Sequence, residues 1–198
     1  MTARPNYKRN IVIAILLMSF ILIAGAWLTF NEATDRNETV VNDKAVRSHF
    51  KVFKKKDTGD LLPPVSVMSL NGDSVSLEKN EDKFTVLNIW ATWCTPCIKE
   101  LPSLQRLSHK LNGDWRVMAV SIDAKTDKIE GFTVKTDSAE IANYHDTNME
   151  LQEAINVIQL PVTYIVDDQN TILYEITGDA VWDDEVVVGF LKSLSAQN

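Results

Sequence analysis

Two cysteines, seven glycines and six prolines are few for a chain of 198 residues, and each shortage removes a class of protein. Low glycine and proline exclude collagen-like and low-complexity chains. Two cysteines cannot build a disulfide framework. They stand at 94 and 97, so a bridge between them closes too small a loop to restrict the unfolded chain. Their closeness points to chemistry. Histidine is as scarce. His49, His109 and His145 are scattered, and with no second cysteine pair a structural zinc site lacks its four ligands. Acidic residues are missing from residues 1–30, where Arg4, Lys8 and Arg9 are the only charges. The remainder carries seventeen basic against twenty-seven acidic residues, an acidic body that repels phosphate backbones and excludes a nucleic-acid partner. No internal repeat is visible.

The longest uncharged run is Ile11 to Phe30, twenty residues. At helical rise it spans about 30 Å, the thickness of a bilayer core. It has no polar face, as expected of a transmembrane helix. A cleavable signal peptide is the competing reading, because Ala24-Gly25-Ala26 offers a small-x-small cleavage pattern. The apolar run continues through Trp27, Leu28 and Phe30, which favours a retained anchor. The basic flank before the span stays inside. The sequence thus divides into a cytoplasmic N-terminus (1–10), an anchor (11–30), a polar tether (31–60) and a folded domain (61–198). Within the tether, Lys51, Lys54, Lys55 and Lys56 read as a solvated stretch and His49 as exposed.

In the domain, Val65 to Leu70 and Ser74 to Leu77 flank Asn71-Gly72 and predict a hairpin. Phe84 to Trp90 is a nearly continuous apolar run, expected of a central strand covered on both faces. Leu101, Leu104, Leu107 and Leu111 recur at helical spacing, with Pro102 expected to kink that helix. Further strands are expected at 116–122, 141–144, 163–166 and 172–176. Helices are expected in patches over 124–140, then up to 155, and at 184–194. Alternating strands and helices with a late hairpin imply an α/β sandwich, a central mixed β-sheet flanked by helices.

Trp93-Cys-Thr-Pro-Cys97 falls between the central strand and its helix. The unpaired N–H groups and dipole of a helix N-terminus favour a thiolate at Cys94. Cys97, one turn on, can attack a mixed disulfide and release the product. Pro96 suits the first helical turn. Cys94 is therefore the candidate nucleophile and Cys97 the resolving thiol. The same two sulfurs also suit Cu(I), for which His145 is the candidate third ligand outside the Cys-containing helix.

Leu87-Asn-Ile-Trp-Ala-Thr-Trp-Cys-Thr-Pro-Cys-Ile-Lys-Glu-Leu-Pro102, with the later Leu160-Pro-Val-Thr-Tyr-Ile-Val-Asp167, resembles the signature of the TlpA/ResA/DsbE family of membrane-anchored, thioredoxin-like thiol–disulfide oxidoreductases. The resemblance covers residues 61–198 and implies a thioredoxin-like sandwich. It implies that Pro161 is cis and faces the cysteines, and that Glu100 is an active-site acid relaying a proton. Asn88 stands where cytosolic thioredoxins carry a buried aspartate. Clients are expected to meet Trp93, Thr95, Pro96, Leu160 and Pro161. Gly178 to Asp183 resembles the turn before the last helix, with Trp182 a packing residue. The implied activity is disulfide reduction on the periplasmic or outer side of a bacterial inner membrane. It would serve cytochrome c maturation or oxidase assembly, with apocytochrome c or copper-site assembly proteins as clients and a membrane thiol donor as electron source. The resemblance implies no cofactor beyond the Cys94–Cys97 disulfide and no resident metal. A copper-binding metallochaperone and a dithiol oxidase are the alternatives.

Overall fold

The structure, a computed structural model, describes residues 16–24, 44–57, 59–78, 84–111, 113–141 and 144–196. Two units follow one another along the chain, residues 1–44 and 45–198. In the first, residues 16–24 are helical with Leu16, Leu17, Met18, Phe20, Ile21, Leu22 and Ile23 exposed. The rest of the expected span, 11–15 and 25–30, lies outside the described residues. Among the described residues no helix is long and apolar enough to cross a membrane.

The second unit contains, in order, β1 (Val52–Lys55), β2 (Ser66–Ser69), β3 (Ser74–Ser76), β4 (Phe84–Trp90), α1 (Thr95–Lys110), β5 (Trp115–Ser121), α2 (Asp127–Lys135), β6 (Tyr144–His145), α3 (Glu150–Ala154), β7 (Val162–Val166), β8 (Ile172–Thr177) and α4 (Glu185–Ser195). The strands form one sheet in the order β1-β8-β7-β4-β5-β6-β2-β3. β4 runs parallel to β5 and antiparallel to β7, so the sheet is mixed, as the sequence predicts. All seven β4 residues are buried. Their alternation splits them between two cores. Phe84, Val86 and Trp90 join Leu101, Leu104 and Leu107 of α1 and Phe190 and Leu191 of α4. Leu87 and Ile89 join Leu62, Val67, Met118 and Leu151 on the other face. Burying both faces fixes the register of β4, because a one-residue slip would exchange the two sets. Asn88 shares the face of Phe84, Val86 and Trp90, and that places an amide beneath α1.

The expected hairpin forms, with Val67 opposite Val75 and Gly72 in its turn at φ +91°, a conformation that glycine adopts without steric cost. Pro102 lies inside α1 without ending it.

The tether is corrected. The compact unit begins at Ala45, not near Leu61. Val46 and Phe50 are core residues, and β1 pairs antiparallel with β8 at the sheet's edge. Phe50 stacks on Phe53 at 5.6 Å and meets Trp182 at 5.2 Å between ring centroids. The segment reads as polar because it is an edge strand, where lysines keep other chains from pairing. Lys51, Lys54 and Lys55 are exposed, as expected of a solvated stretch, and Lys56 is half-buried. Lys51 pairs with Asp179, and Lys56 lies 3.1 Å from Asp60 and 3.5 Å from Glu175. His49 is half-buried, 3.7 Å from Asp184.

Candidate functional site

β4 ends at Trp90, and the turn Ala91–Trp93 delivers Cys94 to the N-cap of α1. The Cys94 N–H donates to the Ala91 carbonyl at 3.1 Å. Its sulfur accepts from the Cys97 N–H at 3.3 Å. A cysteine sulfur here occupies the place of a capping oxygen, against the positive end of a sixteen-residue helix. Pro96 falls in the first turn, where its missing N–H leaves no gap. Cys94 and Cys97 form a disulfide.

The two sulfurs differ in access. Cys94 retains 7% exposure and Cys97 none, so an incoming disulfide can reach only the first. Cys94 lies in a groove of about 610 Å³ shared with Trp93, Thr95, Pro96, Gln152, Ile158 and Leu160. Trp93 and Ile158 are 68% and 89% exposed, unusual for such large apolar side chains.

The groove therefore brings together Trp93, Thr95, Pro96 and Leu160 of the expected client residues. Pro161 is different. The Leu160–Pro161 bond is cis, but Pro161 is buried and is not among the groove's lining residues. Its carbonyl accepts the Gly178 N–H at 2.9 Å, tying the cis bond to the turn after β8. The segment 157–159 and Ile122 also line the groove. Sequence reasoning missed them because they carry no motif, and only the fold brings them to Cys94.

Behind Cys97, one turn along α1, Glu100 is 1% exposed. Its Oε1 accepts the Asn88 amide at 2.8 Å, and its Oε2 accepts the Trp182 indole N–H at 2.9 Å and the Ala180 N–H at 3.2 Å. Asn88 also donates to Thr163 of β7 at 2.9 Å. Burial pushes Glu100 up to about 7, against the pull of its bonds from Trp182, Asn88 and Ala180, and the neighbouring Asp179 charge adds to the rise. A carboxyl group near neutrality is suited to taking and returning a proton at physiological pH. Trp182, read as packing, is fully buried and also serves as a hydrogen-bond donor to this acid.

His145 is buried with both ring nitrogens engaged, Nε2 by the Asp123 carbonyl and Nδ1 by the Thr147 hydroxyl at 3.2 Å. It is therefore poorly placed to complete a copper site with the cysteines. His109 is tied to Glu140 at 2.7 Å. Among the described residues no group of three or more His, Cys, Asp or Glu side chains could hold a metal ion.

The model of the AhpC/TSA family matches residues 58–175. Thiol-disulfide oxidoreductase ResA of Bacillus cereus is 29% identical over 150 residues, covering 75% of this chain and 85% of its own. The structure also resembles a putative thiol:disulfide interchange protein DsbE from Chlorobium tepidum, with a TM-score of 0.62 and 25% identity over 69% of this chain and 96% of the other. StoA from Bacillus subtilis aligns with a TM-score of 0.55 and 20% identity, over 65% and 98% of the two chains. The fold is thus the thioredoxin-like sandwich that the sequence implied, and the family match over residues 58–175 takes in the positions of β4, Cys94, Cys97 and Pro161.

Proposed function

Since the chain belongs to the AhpC/TSA family and is a thiol–disulfide oxidoreductase, we propose that it acts as an extracytoplasmic protein-disulfide reductase, held at the bacterial inner membrane by its N-terminal apolar run. The observation that carries this reading is the asymmetry of the pair: a helix-capping Cys94 that keeps an edge of access from the groove, before a sealed Cys97 and a buried acid.

In the forward direction the Cys94 thiolate attacks one sulfur of a client disulfide. A mixed disulfide forms and the client's other sulfur leaves as a thiolate. Cys97 then gives its proton to Glu100 and attacks the Cys94 sulfur. The Cys94–Cys97 bond closes, and the client's second thiolate is released and protonated. Two electrons have passed to the client. Leu160, beside the cis bond, and the exposed Trp93 and Ile158 offer the client an apolar strip next to the attacking sulfur. Recognition of this kind suits an extended segment, which supplies main-chain bonds and alternate side chains. The clients proposed are apocytochrome c or copper-site assembly proteins. A membrane thiol donor restores the dithiol, because an oxidising compartment supplies no reductant of its own. No cofactor beyond the cysteine pair is needed for these steps.

The direction is tested by equilibrating the full-length chain with glutathione. A potential near −270 mV, that of thioredoxin, supports the reductase; one near −120 mV, that of a strong oxidant, would make the protein a dithiol oxidase on the same scaffold. The engaged state of His145 weighs against a copper carrier. Tight one-to-one Cu(I) uptake without disulfide reduction would reverse that judgement.

A further inference from the structure

A second polar cluster, sharing no residue with the Glu100 cluster, borders the cysteine turn and takes no part in the exchange described above. Asp123, just past β5, is 6% exposed. Its Oδ2 accepts the Thr92 backbone N–H at 2.8 Å and the Ser121 hydroxyl at 2.6 Å, and its Oδ1 accepts the Thr92 hydroxyl at 2.6 Å. The Asp123 N–H returns a bond to Ser121 Oγ at 3.0 Å, and its carbonyl is engaged by His145. The carboxylate therefore grips the turn two residues before Cys94 by both its backbone and its side chain.

The choice of an acid calls for a reason. Burying a charge is costly, and a neutral amide could accept two of these bonds at less desolvation cost. All three groups aimed at Asp123 are donors, which matches a carboxylate that only accepts, and bonds to a charged acceptor are roughly twice as strong as neutral ones. The grip is correspondingly firm. An anion held beside the turn also disfavours a thiolate at Cys94 and so opposes the helix N-terminus. A strongly oxidising pair is one whose reduced form is stabilised. A charge that destabilises the reduced form therefore drives the pair the other way.

We infer that Asp123 is a positioning residue for Cys94: it fixes the Ala91–Trp93 turn and holds a negative charge beside it that makes the dithiol a stronger electron donor. The inference rests on Cys94 being the exchanging thiol. Its test is the full-length chain in detergent, equilibrated with reduced and oxidised glutathione. One protein disulfide and two glutathiones give one dithiol and one glutathione disulfide, so two electrons move with no other reactant.

Asp123→Asn removes the charge while keeping an acceptor oxygen for Thr92. The equilibrium constant is expected to shift about tenfold towards the dithiol, about 30 mV for a two-electron couple, and reduced Cys94 should alkylate faster at neutral pH. A shift within about twofold, or one towards the disulfide, overturns the inference, because a structural role alone would lower thermal stability without moving the equilibrium this way. Thr92→Val, which drops one of the three bonds but keeps the charge, should leave the equilibrium within about twofold of wild type or move it towards the disulfide. Should Asp123→Asn fail to fold, Asp123→Ser removes the same charge, and an equilibrium unmoved there overturns the inference. A wild-type chain that does not exchange with glutathione at all removes the assignment of Cys94 itself, a failure distinguishable from the others.

Discussion

The two sides of the cysteine pair are built on opposite principles. Towards the solvent, Cys94 borders a groove walled by exposed apolar side chains, Trp93 and Ile158 above all. Towards the interior, one turn past Cys97, an acid is held by three N–H donors from β4, from the turn after β8 and from an indole. The outer side is adaptable and makes few fixed bonds. On the inner side both carboxylate oxygens of Glu100 are held. An enzyme that must accept many client shapes but move one proton the same way each time gains from that division, since preorganised groups supply the chemistry and loose apolar contacts supply the tolerance.

The contrast can be broken most completely at the sulfurs. Cys94→Ser should abolish disulfide reduction, a loss of at least about a thousandfold given the weakness of a hydroxyl in exchange chemistry. Cys97→Ser should leave the first attack intact and accumulate mixed disulfides, visible on non-reducing gels. Reduction surviving Cys94→Ser would show that the groove-facing sulfur is not the one that attacks.

The inner side can next be loosened from a distance. Phe50→Ala removes a ring packed on Trp182 and should cost about 3 kcal/mol or more in denaturant unfolding. A loss below about 1 kcal/mol, within the range of surface substitutions, would mean that residues 45–56 are an accessory to the domain.

Glu100 gives a pH signature. Its folded pKa is raised from 4.5 to about 7, so the folded state holds a proton that the unfolded chain has released across that interval. The stability this contributes is present below about pH 4.5 and is lost as pH rises to about 7, a decline on the order of 3 kcal/mol. Glu100→Gln should flatten that decline whatever it does to stability at a single pH. The same substitution should remove a step near neutrality from the pH profile of the resolving reaction. An unchanged slope and profile would leave the acid without its role.

The smallest effects belong to the outer side. Trp93→Ala and Ile158→Ser should each raise KM for a protein client by about three- to tenfold, with kcat and thermal stability nearly unchanged, as expected for contacts that contribute only to binding. A fall in kcat with no change in KM would move these residues from recognition to chemistry.

What the sequence shows and what it hides follows the same division. β4 and α1 were readable because their periodicities are strong, and the cysteine turn because its residue types allow little else. Glu100 could be marked by its motif, but not its burial, because that depends on Trp182, eighty-two positions away. Asp123 is hidden for the same reason, since its partner Thr92 is thirty-one positions back. Residues 45–56 misled because an edge strand rich in lysine has the composition of a linker, and the decisive contacts of Phe50 and Lys51 are with residues beyond 175. Local pattern specifies elements; what it leaves open is which distant element completes each polar group.

The bond between Trp182 and Glu100 has a use outside the reaction. Indole emission responds to the charge beside its N–H, and Trp182 touches the acid proposed to take the proton of the resolving thiol. Replacing Trp27, Trp90, Trp93 and Trp115 with phenylalanine would leave a single indole, next to that proton. Turnover could then be followed by light, without a label, in a protein that has carried its own gauge from the start.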